Sequence, residues 1–525
     1  MFSFPAFKPL LLCMVCALFF TACNATGEDE ASPGAAAQVA QVVKADDSDH
    51  SHLEELFQVD DDTLRMMQQE AEEGDVVAQF NLGVLYEYAQ DSRRSDENAA
   101  IWYRKAAEQW LPEAQYNLAL LYEQGRGVPR IDAEAVSWYL EAAEQGVVEA
   151  QFNLGVLYAE GRGVQQNDEE AVFWYREAAE QGMPEAQSNL GLMFSEGLGV
   201  LQSDEEAALW YRRAAEQGFA TGQYNLGLLY AQGRGVPQSD EEAALWYLRA
   251  ADQNDEDAQF ALGVLFESGR GVPQNDEDAV LWYRMAAERG MAEAQYNLSV
   301  LLTAQNGRKV RHNDEEAFAW VRKAAEQGYI PAQNNLGSMY ENGQGVRHND
   351  EEAARWYLKA AEQGFVIAQY NLGNLYAEGQ GVPKNAGEAV FWFLKAAEKG
   401  DADAQLSLGL MYSAGQGVEQ NAEEAAFWIL QAAQQGQAEA QFSLGLMYAN
   451  GSGVRQSDEE AKIWYGKAAE QGYTRARFGL GIIRASGSVR QNIARLRGGN
   501  APEPEQGIAN SHDTHDPGYQ KDLHH

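Results

Sequence analysis

The chain has 525 residues, a formal net charge of −40 and 45% hydrophobic residues. Phosphate backbones would be repelled along most of its length, which argues against nucleic acid as a partner. All three cysteines (Cys13, Cys16 and Cys23) fall at the N-terminal end, so no disulfide can staple the remainder of the chain.

In chain order, Met1 to Ala22 reads as an export signal, with Lys8 ahead of an apolar run from Leu10 to Phe20. That run is too short for a comfortable membrane span. Residues 23–60 are small, polar and acidic and read as a flexible tether. Its Asp46 to His52 stretch offers no fixed geometry, so neither a metal site nor a cofactor is expected. Residues 61–487 read as a capped array, opened by a lone helix over Asp61 to Gly74. Residues 488–525 form a C-terminal tail that is first basic and then disordered by composition.

The array is built on one unit of 36 residues, which starts at Gln79 and returns at Gln115, Gln151, Gln187, Gln223, Gln259 and Gln295. After a two-residue insertion it resumes at Gln333, Gln369, Gln405 and Gln441, eleven units in all. A fixed period in this range marks a repeat solenoid. In the unit at Gln223, Leu226, Gly227 and Tyr230 stand at helical spacing, and the small residue implies a close backbone approach. Gly233 and Gly235 end that helix, because glycine adopts the left-handed conformation. Ser239 to Glu242 forms a capping box, in which the Ser oxygen takes a free N–H and the Glu reaches back. Ala243, Trp246, Tyr247, Ala250 and Ala251 then make the buried stripe of a second helix. Eleven of the twelve Trp residues repeat the Trp246 position and are expected in the core. Acids clustered at the second-helix starts explain much of the charge, since the helix dipole favours each by about 0.3–1 kcal/mol. In the first unit Trp110 stands where later units have Gly; it is either an exposed anchor or a packed cap residue.

These motifs, A-x-x-x-L-G-x-x-Y, G-x-G-V and A-x-x-W-Y-x-x-A-A-x-x-G, run from about Ala78 to Gly472 and resemble the Sel1-like repeat, a tetratricopeptide-like family. The resemblance implies an all-α, right-handed α-solenoid of eleven 36-residue helix-turn-helix repeats that acts as an adaptor. It also implies that the first helices line a concave groove. Phe20-Thr21-Ala22-Cys23 resembles a bacterial lipobox, with Phe where Leu is preferred, and implies a lipidated Cys23 that attaches the chain to a membrane. Asn24 then favours the outer membrane, facing the periplasm or the cell surface. Relatives linked to β-lactam binding carry a Cys pair in each repeat, which this chain lacks.

No catalytic residue is identified. No Cys follows Cys23, and the two histidines within the array, His312 and His348, fall in loops. The abundant carboxylates sit at helix starts, where nothing would separate their pKa values. Two candidate sites remain. The position after the leading Gln is aromatic in Phe80, Tyr116, Phe152, Tyr224, Phe260, Tyr296, Tyr370 and Phe442. The next is Asn in Asn81, Asn117, Asn153, Asn189, Asn225, Asn297, Asn335 and Asn371. Such a row either pairs with the peptide groups of an extended ligand or bonds a neighbouring helix. Arg308, Lys309, Arg311, His312, Arg347 and His348 form a basic docking loop for an anionic partner, or a solvated insertion. The expectation is a non-enzymatic scaffold of the cell envelope that binds proteins or peptides. The alternatives are a surface or secreted factor engaging host molecules, and a glycan-handling lipoprotein of polysaccharide export.

Overall fold

The computed structural model describes residues 61–89, 92–303 and 311–483, which form helices and turns with no strand among the described residues. The chain divides into two compact units, the first ending at His312 and the second beginning at Asn313. The first unit holds the helix Asp61–Glu72, six complete repeats and the helix Ala292–Thr303 of the seventh. The second holds Asp314–Glu326, repeats eight to eleven and a last helical stretch over 474–483. Each complete repeat is a helix pair, as in Val148–Glu160 and Asp168–Glu180 of the third.

Local chemistry sets the helix ends. The first helix of the third repeat stops at Gly161, with φ of 68° and its N–H bonded to the Leu157 carbonyl. Ser203, Ser239 and Asn167 cap second helices by accepting backbone N–H groups. Ile131 occupies that place in the second repeat without a side-chain cap bond. The capping box forms only in half. The Ser239 N–H does not bond to Glu242; it donates to the Tyr230 carbonyl at 3.0 Å, and Asn167 donates likewise to Tyr158. This satisfies a carbonyl left free in the last turn of the first helix, which a Glu side chain could not do.

The second loop glycine meets two demands. Gly235 has φ of 64°, and a Cβ there would run into the Asp204 carbonyl of the preceding repeat. Every G-x-G described thus presses the start of the previous second helix, as Gly163 does at Asp132 and Gly381 at Asp350. The residue between the glycines adds a side-chain tie. Arg126 pairs with Asp96 at 2.7 Å, Arg234 with Asp204 at 2.7 Å and Arg270 with Asp240 at 2.7 Å.

Tyr, rather than Trp, is the centre of most repeats, with Val321, Phe393 and Ile429 in that place in repeats seven, nine and ten. Tyr103, Tyr139 and Tyr283 are 0% exposed. Each faces the small residue of the first helix, where a Cβ on Gly227 would lie 2.8 Å from the Tyr247 ring and one on Gly155 2.7 Å from Tyr175. The expected Trp core is therefore corrected in part. Trp174, Trp210, Trp320, Trp392 and Trp464 are buried, but Trp246 and the others of the series are half-buried. Their place is the seam: Trp210 closes a cluster formed by Tyr175 and Ala179 of repeat three with Leu190 and Met193 of repeat four. Trp110 takes the left-handed conformation normally given to Gly, with φ of 67°, and is 68% exposed, so it is not a packed cap residue.

The Gly–Tyr contact yields a test. Gly227→Val places branched carbons inside the Tyr247 ring and should cost about 1–3 kcal/mol, the usual penalty of overpacking. Nearest-neighbour coupling confines the loss to adjacent repeats. Hydrogen exchange should therefore lose protection over repeats four to six while distant repeats keep theirs. Unchanged protection at repeat five would show that the contact is not limiting.

Candidate functional site

A buried polar relay runs along the seams of both units. The leading Gln of each repeat reaches back to the end of the previous second helix. Gln115 donates to the Ala107 carbonyl at 3.3 Å, Gln151 to Ala143 at 3.1 Å and Gln405 to Ala397 at 3.1 Å. Its own amide oxygen accepts from the Gln that ends its repeat, as Gln181 does to Gln151 and Gln363 to Gln333, both at 2.7 Å. Two repeats break the relay. Arg289 and Lys399 stand where the terminal Gln belongs, and the buried Oε1 atoms of Gln259 and Gln369 are left without a partner. The recurrence of the leading Gln was visible in the sequence; its partners, eight residues back and thirty ahead, were not.

A second network explains much of the aromatic and Asn rows. Phe80, Tyr116, Phe152, Tyr224, Phe260, Tyr370 and Phe442 lie on the central rings of their own repeats, with centroids 5.6–5.9 Å apart in pairs such as Tyr224–Tyr247 and Phe152–Tyr175. Tyr116 and Phe152 are buried and Tyr296 half-buried, so the aromatic row belongs largely to the packing. The Asn side chains reach the preceding repeat. Asn117 lies beside the Tyr103 hydroxyl, Asn153 beside those of Tyr116 and Tyr139, and Asn189 beside that of Tyr175. Asn371 donates to Asn334 at 3.3 Å. Asn81, Asn225, Asn297 and Asn335, like the others, remain half-buried.

The central Tyr hydroxyls also donate to carboxylates: Tyr103 to Glu87 at 2.8 Å, Tyr139 to Glu123 at 2.8 Å and Tyr357 to Glu341 at 2.6 Å. Burial, then the neighbouring Glu87, push the Tyr103 hydroxyl well above its ordinary value. Burial also raises the Glu87 carboxyl, against the opposing pull of Tyr103 and Arg126. For Arg126 burial acts downward, but its bonds to Asp96 and Glu87 outweigh it and hold the guanidinium firmly charged. All these groups are satisfied within the chain and form a structural clamp.

Of the basic loop, Arg308 and Lys309 lie outside the described residues, as do Cys23, the signal, the tether and the tail. Arg311 and His312 are exposed in the first unit, Arg347 and His348 in the second. His348 is held by its own loop, through Glu341 O at 2.7 Å and Asp350 at 3.3 Å.

Helix pairs of this length, with their glycine turns and Gln seams, define an α-solenoid of short tandem repeats. A model of the Sel1 repeat matches eleven tandem copies, from 76–109 to 438–473, and the chain belongs to the Sel1 repeat family. Sel1 repeats are in general non-catalytic protein-interaction modules. Among solved structures, the chain is similar to a protective antigen of uropathogenic Escherichia coli that displays an SLR fold. Identity is 35% over 85% of this chain and 99% of that one, with a TM-score of 0.71. It is also similar to a Sel1 repeat protein of Oxalobacter formigenes, at 31% identity over 68% of this chain and 99% of that one, with a TM-score of 0.50. No curated protein matches the sequence.

The broken relay is open to repair. Lys399→Gln should give Gln369 Oε1 its missing donor and stabilise repeat nine by about 1 kcal/mol. The bond from Lys399 to the Gly364 carbonyl is not forfeited, because Gln435 and Gln471 make its equivalent to Gly400 and Gly436. Hydrogen-exchange opening energies at repeat nine measure the gain, and a loss would show that the unpartnered oxygen costs nothing.

Proposed function

We propose that the chain is a non-enzymatic scaffold of the bacterial cell envelope that holds proteins or extended peptides along its first helices. One observation carries this reading. In six of the first seven repeats the half-buried Asn is followed one turn later by a partly or fully exposed aliphatic residue: Asn81 and Val84, Asn117 and Leu120, Asn153 and Val156, Asn189 and Leu192, Asn225 and Leu228, Asn297 and Val300. Leu192 is 45% exposed and Val300 37%, whereas Val84, Leu120 and Val156 pack in part against the core. An Asn amide offers both a donor and an acceptor, which can pair with peptide groups of any sequence. The aliphatic neighbour adds apolar area. Repeats eight and nine carry Ser338 and Asn374 at the aliphatic position, and repeats ten and eleven keep Leu410 and Leu446 but have Ser407 and Ser443 in place of Asn. The full pair therefore recurs only in the first unit, which this reading takes as the ligand's place.

The envelope assignment rests on the lipobox-like run that ends at Cys23. The description of the E. coli relative as a protective antigen supports a second reading, in which the scaffold stands on the cell surface and engages host molecules.

The row is tested by Leu192→Lys combined with Leu228→Lys; the first is a surface change that should move stability by no more than about 0.5 kcal/mol, and the second, at a half-buried position, is checked by melting beside it. Peptides selected on the wild-type protein from a random display library should lose binding to this variant. Undiminished binding would move the ligand elsewhere. For the anchor, Cys23→Ser should release the protein from membranes into the soluble fraction; persistent membrane association would remove the lipid anchor. Protease added to intact cells then separates the readings, because a periplasmic protein survives and a surface one is cut.

A further inference from the structure

The second helices carry a charge pattern that repeats two and three reverse. In six repeats a Lys or Arg lies over the seam Trp one turn before it: Lys105 over Trp102 at 3.9 Å, Arg213 over Trp210 at 4.4 Å and Arg249 over Trp246 at 4.3 Å, with Lys323, Lys359 and Lys467 alike. Repeat nine is a variant. There Phe391 stands edge-on to Trp392 at 5.0 Å, and Lys395 places its ammonium 5.0 Å from the Phe391 ring centre.

Repeats three and ten have the same aromatic corner without the cation; in repeat ten, with Phe427 and Trp428, the neutral Gln431 takes its place, and repeat three alone puts a carboxylate there. Phe173 meets Trp174 at 4.9 Å and 81°, the counterpart of the 82° pair in repeat nine. The residue that corresponds to Lys395 is Glu177. Phe173 is 51% exposed and Trp174 8%, and the indole N–H of Trp174 has no hydrogen-bond partner. The corner borders a surface depression of about 660 Å³ whose rim also carries Glu144 and Glu180. No salt bridge is formed by Glu144, Glu177 or Glu180 among the described residues. Arg176 does not fill the place, since its guanidinium lies 5.9 Å from Phe194 in the next repeat. Repeat two also has a Glu at this position, but Glu141 accepts from Gln115 at 2.8 Å, and Ser137 replaces the exposed ring.

We propose that this corner is a receptor for a basic side chain, Lys or Arg, of a polypeptide partner. An exposed aromatic ring beside carboxylates attracts a cation through its quadrupole and their charge together. In seven repeats the chain itself supplies the cation, and Met285 and Gln431 leave the position neutral in repeats six and ten; at Glu177 the partner supplies it. The inference shares with the reading above only that the ligand is a polypeptide, and it concerns second helices and not the Asn row.

The probe is N-acetyl-arginine amide, titrated into the full chain carrying ¹⁵N-labelled indoles, with N-acetyl-citrulline amide as its neutral isostere. The Trp174 signal, identified by its loss in Trp174→Phe, should shift saturably with the arginine compound and not with citrulline. Trp392 should stay still. Glu177→Lys recreates the self-filled corner and should weaken the probe at least about tenfold, with melting unchanged. Lys395→Glu should open a second site and make Trp392 respond, which keeps the proposal testable should Glu177→Lys fold poorly. An equal response to citrulline, an unchanged titration in Glu177→Lys, or no saturable shift at Trp174 would each overturn the receptor. None of these outcomes bears on display-selected peptides at Leu192 and Leu228, so the two readings fail separately.

Discussion

The buried Gln is the interaction on which the stacking depends. Each carbonyl it meets at the end of a second helix already accepts one backbone N–H from the following turn, as Ala107 does from Trp110 at 2.9 Å and Ala143 from Gly146 at 2.9 Å. The second lone pair of that oxygen faces the next repeat, where a donor from the first helix can reach it. Gln115 supplies that donor with its amide N–H and accepts at its own oxygen from Gln145 at 2.6 Å, so one side chain ties two helices. A shorter Asn could not span the gap, and a charged Glu could not donate. The residue type follows from reach and from having both hydrogen-bonding functions.

Close approach fixes the geometry around that relay. Gly227 lets the first helix rest on the Tyr247 ring, and Gly235 lets the loop rest on the preceding helix start at Asp204. Both contacts leave no room for a Cβ, so the distance between helices and between repeats is set by backbone rather than by adjustable side chains. This also explains the constant length of the repeat across the first unit. An added residue between Gly235 and Ser239 would move the cap away from the Tyr230 carbonyl that its N–H satisfies.

Much of this was legible, and the rest was not for definite reasons. Period, helix pairing, the left-handed turn and the close approach at Gly227 follow from residue type at fixed spacing. The capping box was half right, because the N–H that Glu242 was expected to take is claimed by the first helix, a partner the local pattern does not contain. Trp246 was assigned a core place that belongs to Tyr247: both are large and apolar, and only the seam distinguishes them. The Asn row is recognisable by recurrence alone, while its neighbours Tyr103, Tyr139 and Tyr175 belong to the preceding repeats. Arg347 and His348 were read as part of a docking loop, yet His348 is tied to its own turn.

A periodic chain changes where function has to be sought. Whatever recurs in every repeat is first accounted for by stacking, as the Gln, Gly, Tyr and much of the Asn row are. Departures carry more information, and the structure sorts them. Arg289 and Lys399 leave buried oxygens unpaired and are defects in the relay. Ile131 forgoes a cap bond that ten sister repeats have by sequence. Glu177 is of another kind. Exchanging a cation for a carboxylate beside Phe173 breaks no buried bond, and it leaves an exposed ring and unpaired charge facing solvent. A defect lowers stability and presents nothing outward; a substitution that presents chemistry outward while costing the core nothing is the one that a partner can read.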